Sequence, residues 1–271
     1  MPTYRWEVDY SAVRFPRERG TIGAGEMSSA AAAAHRKHAI PAGLRGDDRA
    51  ARVQGCGTAA AARSRLRHLL NALLCGDAEA AGRVAQRALL ETGSRTAVFA
   101  DLLHPAQTEI GNLWYAGQAS YVDEVRVAAG VRRIVRGLRP TPAARPAPRG
   151  SRCLLAVPRG DLHDIGVTMF ALALQDHGWT TELLGPGSDL RDAVDAATAR
   201  RPNLFCLSVA CMPALTEVEG AVSAIRGARV PVLVGGAAFY RRPDLADRLG
   251  ADALGTDVRM GVVLARRLGG R

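Results

Sequence analysis

Lysine is almost missing from this 271-residue chain: Lys37 is the only one, so the net charge of +10 is carried by arginine. Arginine and alanine enrichment of this kind matches the output of a GC-rich genome, which raises the isoelectric point without selecting for nucleic acid. The arginines are spread along the chain rather than gathered on one recognition helix, so a DNA reader's electrostatic footprint is lacking. Cysteine is scarce as well. Cys56, Cys75, Cys153, Cys206 and Cys211 show neither paired nor metal-ligand spacing, which excludes a disulfide framework. With no secretory signal, they imply reduced thiols and a cytoplasmic protein. Cys206 and Cys211 read as small buried hydrophobes. No apolar run approaches the roughly 20 residues of a membrane helix, so a soluble chain without membrane association is expected. What is present, 48% hydrophobic residues over this length, permits two modest packed domains.

Residues 1–58 mix charges with a run from Ala30 to Ala34 and the basic cluster His35-Arg36-Lys37-His38, without sustained periodicity. They read as a disordered extension. No helix–turn–helix of convincing length precedes residue 59, so direct DNA binding is disfavoured and would have to be non-specific and salt-dependent. Met27 follows Gly23-Ala24-Gly25-Glu26, whose codons would be purine-rich like a ribosome-binding site, which makes Met27 a candidate start. Mass-spectrometric peptides from residues 1–26 would remove that reading.

Residues 59–138 have helical period. Leu66, Leu69, Leu70, Leu73 and Leu74 form one stripe; Gly76 ends it and Asp77 caps a second helix with Ala81, Val84, Ala88 and Leu89 inward. Val98, Leu102, Ala106, Ile110, Leu113 and Trp114 line a third, which Pro105 should kink or split. Val122, Val125, Ala129, Ile134 or Val135, and Leu138 supply a fourth. Short loops between four amphipathic helices predict an antiparallel bundle. Residues 139–151, with Pro140, Pro142, Pro146 and Pro148, form a linker. In residues 152–271 strands alternate with helices: Cys153 to Val157, Thr180 to Leu184, Leu204 to Ser208, Val230 to Val234 and Ala253 to Gly255, then a helix from Asp257 to Leu268. This predicts an α/β, doubly wound parallel five-stranded sheet of flavodoxin-like order 2-1-3-4-5.

The loop Asp161-Leu162-His163-Asp164-Ile165-Gly166 joins the first strand to an amphipathic run from Val167 to His177. Open α/β sheets bind ligands at such carboxyl strand ends. Asp161 can accept a hydrogen bond from one His163 ring nitrogen, fixing the tautomer and leaving the other as a base or metal ligand. A loop histidine between two helix-capping aspartates is the plainer alternative. Ser208, and the pair Gly235-Gly236, end two further strands; they read either as ligand contacts, with no β-carbon to obstruct a bulky group, or as a helix cap and a strand turn.

The loop resembles the D-x-H-x-x-G signature of the cobalamin-binding domain of methionine synthase, corrinoid methyl carriers and cobalamin photoreceptors. The resemblance implies that His163 displaces the cofactor's dimethylbenzimidazole and binds cobalt from below, with Asp161 and Gly166 in the same motif. It places Ser208 and the glycine pair beside the buried tail. A helical bundle before the sheet is similar to the cap over the corrin's upper face in those families. The segment Ile110 to Gly117 resembles their G-x-x-W-x-x-G stretch, and the W-x9-E-H pattern of CarH/LitR-type photoreceptors falls on Trp114, Glu124 and Val125. Tryptophan and glutamate are kept, whereas the histidine is a valine that cannot ligate cobalt. On the residues alone, Trp114 also reads as a core aromatic, Glu124 as a solvated carboxylate, and His104 as a structural histidine or a substitute ligand. The stretches Val234 to Phe239 and Leu249 to Ala253 resemble light- and cobalamin-responsive regulators, including AerR-type antirepressors.

The resemblance implies cobalamin as cofactor, as adenosylcobalamin or methylcobalamin, and two functions. One is a light or cobalamin sensor with no chemistry of its own, in which cobalamin between bundle and sheet sets their relative position for a protein partner such as a transcription regulator. The other is the corrinoid methyl-carrier subunit of a methyltransferase, which Trp114 with Glu124 over the cobalt disfavours. Self-association is open.

Overall fold

The structure, a computed structural model, describes residues 48–140, 146–148, 150–185, 189–211 and 215–269, without the side chains of residues 48–59 and Arg241. The readings made on Met27, the alanine run and residues 35–38 lie outside this set.

The bundle begins with α1, Asp48–Leu74, eleven residues ahead of the expected start. Residues 48–58 contain no proline, so a helix nucleated by the leucine stripe propagates backwards through them. The next helix, α2 (Ala78–Thr92), is capped by the Asp77 side chain and closed by left-handed Gly93. The third helical run is α3 (Arg95–Val98), a π-helical turn at Phe99–Leu103, and α4 (His104–Tyr115). The split comes one residue before Pro105. The His104 N–H donates to Phe99 O five residues back, and Pro105 enters the first turn of α4, where its missing N–H costs least.

In α5 (Tyr121–Gly137) the buried residues are Asp123, Val127, Val131, Ile134 and Val135. Val122, Val125 and Ala129, expected inside, are exposed. The reason lies at the helix start: Ser120 and Asp123 form a reciprocal capping box, and Asp123 also binds Arg126. Burying Asp123 of that box turns the helix so that the Val122 side faces out.

The sheet strands are β1 (Arg152–Ala156), β2 (Thr180–Leu184), β3 (Leu204–Ser208), β4 (Val232–Gly235) and β5 (Ala253–Gly255). They run parallel in the order β2-β1-β3-β4-β5, the predicted one. Between and after them lie α6 (Ile165–Asp176), α7 (Leu190–Arg200), α8 (Leu215–Gly227), the short α9 (Ala237–Arg241) and α10 (Asp244–Arg248), and α11 (Val258–Gly269).

Alternate residues of each strand enter two different cores. Leu154, Ala156, Phe205 and Leu207 pack with α7 to α10. Cys153, Leu155, Leu204 and Cys206 pack with α6 and α11, and that core continues without a break into Leu66, Leu69, Phe99, Leu103 and Val131 of the bundle. This explains α6. The run expected to be amphipathic is buried at eight of its twelve positions, including Val167 and every residue from Met169 to Leu174, because the sheet covers one side and the bundle the other. Arg95–Asp176, Arg132–Asp164 and Arg259–Asp101 bridge the same junction. Arg95–Asp176 is mostly covered, Arg132–Asp164 is partly exposed and Arg259–Asp101 is more than half exposed, so solvent screens the last two and the hydrophobic contact dominates. Asp164→Asn is expected to cost no more than about 1 kcal/mol in urea unfolding, and less in high salt.

Candidate functional site

The loop after β1 is built around Asp161, which is 2% exposed. One carboxylate oxygen, Oδ1, accepts the His163 backbone N–H at 3.1 Å and lies 2.7 Å from His163 Nδ1. The other, Oδ2, accepts the N–H groups of Ala210 at 2.6 Å and Cys211 at 2.9 Å, both just past β3. Burial pushes this carboxyl up, but hydrogen bonds from the His163 ring and from the backbone of Cys211, Ala210 and His163 outweigh it and hold the group at about 2. At neutral pH Asp161 is therefore an anion, and in the neutral tautomer that donates Nδ1–H to it the lone pair falls on Nε2, on a side chain that is 58% exposed. Neither aspartate caps α6. Asp164 stands at the N-cap position without a capping bond and gives its carboxylate to Arg132 of α5. The plainer reading of the loop fails on both counts.

Ser208 is half-buried at the end of β3, in register with Gly235. Among the described residues it caps no helix, the next described helical residue being Leu215 of α8. The glycines have reasons inside the protein. A β-carbon on Gly236, whose φ is +101°, would lie 2.3 Å from Val209 O, and one on Gly235 would lie 3.2 Å from Gly255 O. The pair lets the exits of β3, β4 and β5 close on one another, which gives it a structural purpose beside the ligand contact read from the sequence. Gly236→Ala is expected to cost at least about 2 kcal/mol, measurable as a lower urea midpoint. Gly166, in the first turn of α6, borders open space.

The cysteines divide. Cys206 is buried, and burial pushes its thiol up to about 12; burial, then Cys206, raises Cys153 as well. Cys211, expected to be buried, is exposed, with Sγ 3.9 Å from His163 Nδ1. Its segment is shaped by the two N–H groups that bind Asp161, which turns the side chain outward. No side-chain pattern announces a backbone contact of that kind. Arg132 was missed for a related reason, because it touches only the residue after the histidine.

At the bundle's end the turn from α4 to α5 presents Trp114, half exposed, with Tyr115, Tyr121, Val122 and Val125. Trp114 and Tyr121 rings meet with centroids 6.5 Å apart and a 57° tilt. Trp114 is thus no core aromatic, and Glu124 is half-buried rather than fully solvated. Residues 122, 125, 129 and 132 fall on one face of α5 by helical spacing. Since Arg132 on that face holds Asp164, the apolar positions above it stand on the side of the His163 loop. His104 is half-buried at the start of α4; burial lowers its pKa, and Asp257 partly offsets this.

Residues 151–263 match the B12 binding domain family, and residues 65–139 match a second B12 binding domain family. Two proteins of Myxococcus xanthus are similar in sequence. One is the HTH-type transcriptional repressor CarA, 35% identical over 96 residues, which is 35% of this chain and 33% of CarA. The other is the HTH-type transcriptional repressor CarH, 30% identical over 155 residues, which is 56% of this chain and 50% of CarH. The chain therefore spans half or less of these curated relatives. In structure it resembles the monomethylamine corrinoid protein of Methanosarcina barkeri with a TM-score of 0.60 and 15% identity, over 76% of this chain and 98% of that one. That likeness establishes the fold.

Proposed function

We propose, for a chain that is a cobalamin-binding-domain protein related to CarH and takes cobalamin as its cofactor, that it is a regulatory sensor. In this reading the cofactor lies between the His163 loop and the apolar end of the bundle. The observation that carries it is the exposure of Trp114, Tyr121, Val122 and Val125 at the tip of the bundle, the last three on the helix whose Arg132 reaches Asp164 of that loop. Exposed apolar groups of this size fit a large flat ligand with an apolar face.

His163 is the lower cobalt ligand through Nε2, oriented by Asp161. Ser208, Gly235 and Gly236 border the channel for the nucleotide tail, and Gly166 leaves room beside the loop. Trp114 and Glu124 contact the upper ligand. Bound cobalamin supplies a cobalt–carbon bond whose upper group differs between its forms; the chain's own groups orient the metal, exclude water from above and distinguish those forms. Val125, with no lone pair, gives no second ligand. A protein partner, a transcription regulator, reads how much of the aromatic tip the cofactor leaves exposed. A ligand shifts such an equilibrium only by its differential affinity for the two states, so adenosylcobalamin must bind differently from the light-exposed form.

The test is an absorbance and size-exclusion comparison of the protein with adenosylcobalamin in the dark and after green light, beside hydroxocobalamin. The expected result is different affinity, and different oligomer size or partner affinity, between the two forms. One affinity and one size for all forms would overturn the sensor and favour the methyl carrier. Trp114→Ala is expected to change stability by no more than about 0.5 kcal/mol, as befits a surface residue. It should reduce the preference for adenosylcobalamin over hydroxocobalamin, measured by competitive titration.

A further inference from the structure

We propose that the cobalamin-free protein holds a thiophilic divalent cation, with zinc as the fitting ion, between His163 Nδ1, Cys211 Sγ and the Asp161 carboxylate, and that this cation and cobalamin exclude one another. The inference rests on the reading of His163 as cobalt ligand and adds Cys211, which that reading leaves without a task.

The geometry is close to complete. One donor atom from each of the three residues lies within 4.8 Å of the other two. Sγ and Nδ1 are 3.9 Å apart, against about 3.6 Å for the nitrogen–sulfur edge of a tetrahedral zinc site. Oδ1 and Nδ1, at 2.7 Å, need only part slightly to admit a cation in place of the shared proton. Asp161 is held by Ala210 and Cys211 N–H groups on its other oxygen, so Oδ1 is already aimed, with the orientation that a ligating carboxylate needs. The side chains of His163 and Cys211 are exposed, which gives the ion a way in and leaves the fourth position to water. Thiolate with imidazole selects zinc over magnesium or calcium.

Mutual exclusion follows from the protons. In the cobalamin-ready state Nδ1 carries the proton and Nε2 the lone pair. On binding zinc, Nδ1 gives up its proton and coordinates, the neutral ring carries its proton on Nε2, and the Cys211 thiol releases its proton to solvent. One proton leaves per cation, and Nε2–H has no lone pair for cobalt. The two metals therefore call for opposite tautomers of one imidazole.

The experiment uses the full chain purified without cobalamin and titrated with cobalt(II) ion as a spectroscopic stand-in for zinc. A thiolate-to-metal absorption band saturating at one equivalent is expected, displaced by zinc, absent in Cys211→Ser, and accompanied by release of one proton. Preloaded zinc should weaken hydroxocobalamin binding at least tenfold, and a chelator should restore it. Cys211→Ser should bind hydroxocobalamin as the wild type does, now without sensitivity to zinc. A band that persists in Cys211→Ser, or unchanged cobalamin affinity with zinc bound, overturns the proposal. If cobalamin instead binds wild type and His163→Ala with the same spectrum, the cobalt-ligand reading fails by itself, whatever the cation titration gives.

Discussion

His163→Ala is expected to weaken cobalamin binding by at least about 100-fold, the upper part of the range seen when even an orienting neighbour of a metal ligand is lost. The absorption spectrum of any cofactor that still binds should shift away from that of the histidine-ligated form. The fold should survive, because the ring is more than half exposed and its removal leaves three backbone N–H groups on Asp161. Equilibrium titration monitored by absorbance, with near-UV circular dichroism as a control for folding, measures both. Added imidazole should partly restore the spectrum in the variant and leave the wild type unchanged. A variant spectrum identical to the wild type would assign the lower ligand to another group.

Asp161→Ala is expected to be the most destabilising change in the loop, at about 3 kcal/mol. It takes the acceptor from the N–H groups of half-buried Ala210 and exposed Cys211 and removes the buried carboxylate that ties the two loops together, where an unpaired buried donor is worth roughly 1–3 kcal/mol. The carboxyl also fixes the direction of the pH dependence. Its folded value, about 2, lies below the ordinary value of an unfolded aspartate. The stabilisation is thus complete above about pH 4 and is lost as the pH falls through 2, an effect of roughly 2 kcal/mol at neutral pH. Urea unfolding of the apoprotein from pH 2 to 6 should show this acid limb, and Asp161→Asn should flatten it. The same variant should weaken cobalamin binding by about 10–100-fold, since an amide orients the imidazole without sharing its charge.

The strand order and the His163–Asp161 pair were legible because both depend on short-range pattern: apolar runs of strand length, and two residues two positions apart on a loop. Periodicity alone put Trp114 and Val125 on inward faces, while the family resemblance set Trp114 outside the core; period cannot tell an apolar face that packs on protein from one left exposed. The buried Asp123, which closes the capping box with Ser120, decides which face of α5 turns inward. Cys211 was placed inside by residue type, while its outward position depends on backbone N–H groups drawn to a carboxylate 50 residues earlier in the chain. The reason for Gly236 was likewise illegible, since it resides in the approach of Val209 from a neighbouring strand.

The single core that runs from Leu69 and Phe99 through Met169 and Leu174 to Leu155 limits how this molecule can signal. Swinging the bundle off the sheet would expose leucine, valine and phenylalanine on both sides at once, at roughly 25 cal/mol for each Å² wetted. The cost would approach that of unfolding, so the two parts should melt in one calorimetric transition with no stable half-open form. In the sensor reading proposed above, news of the cofactor would then reach the outside as a change in what the aromatic tip shows to its surroundings, over a frame that stays shut.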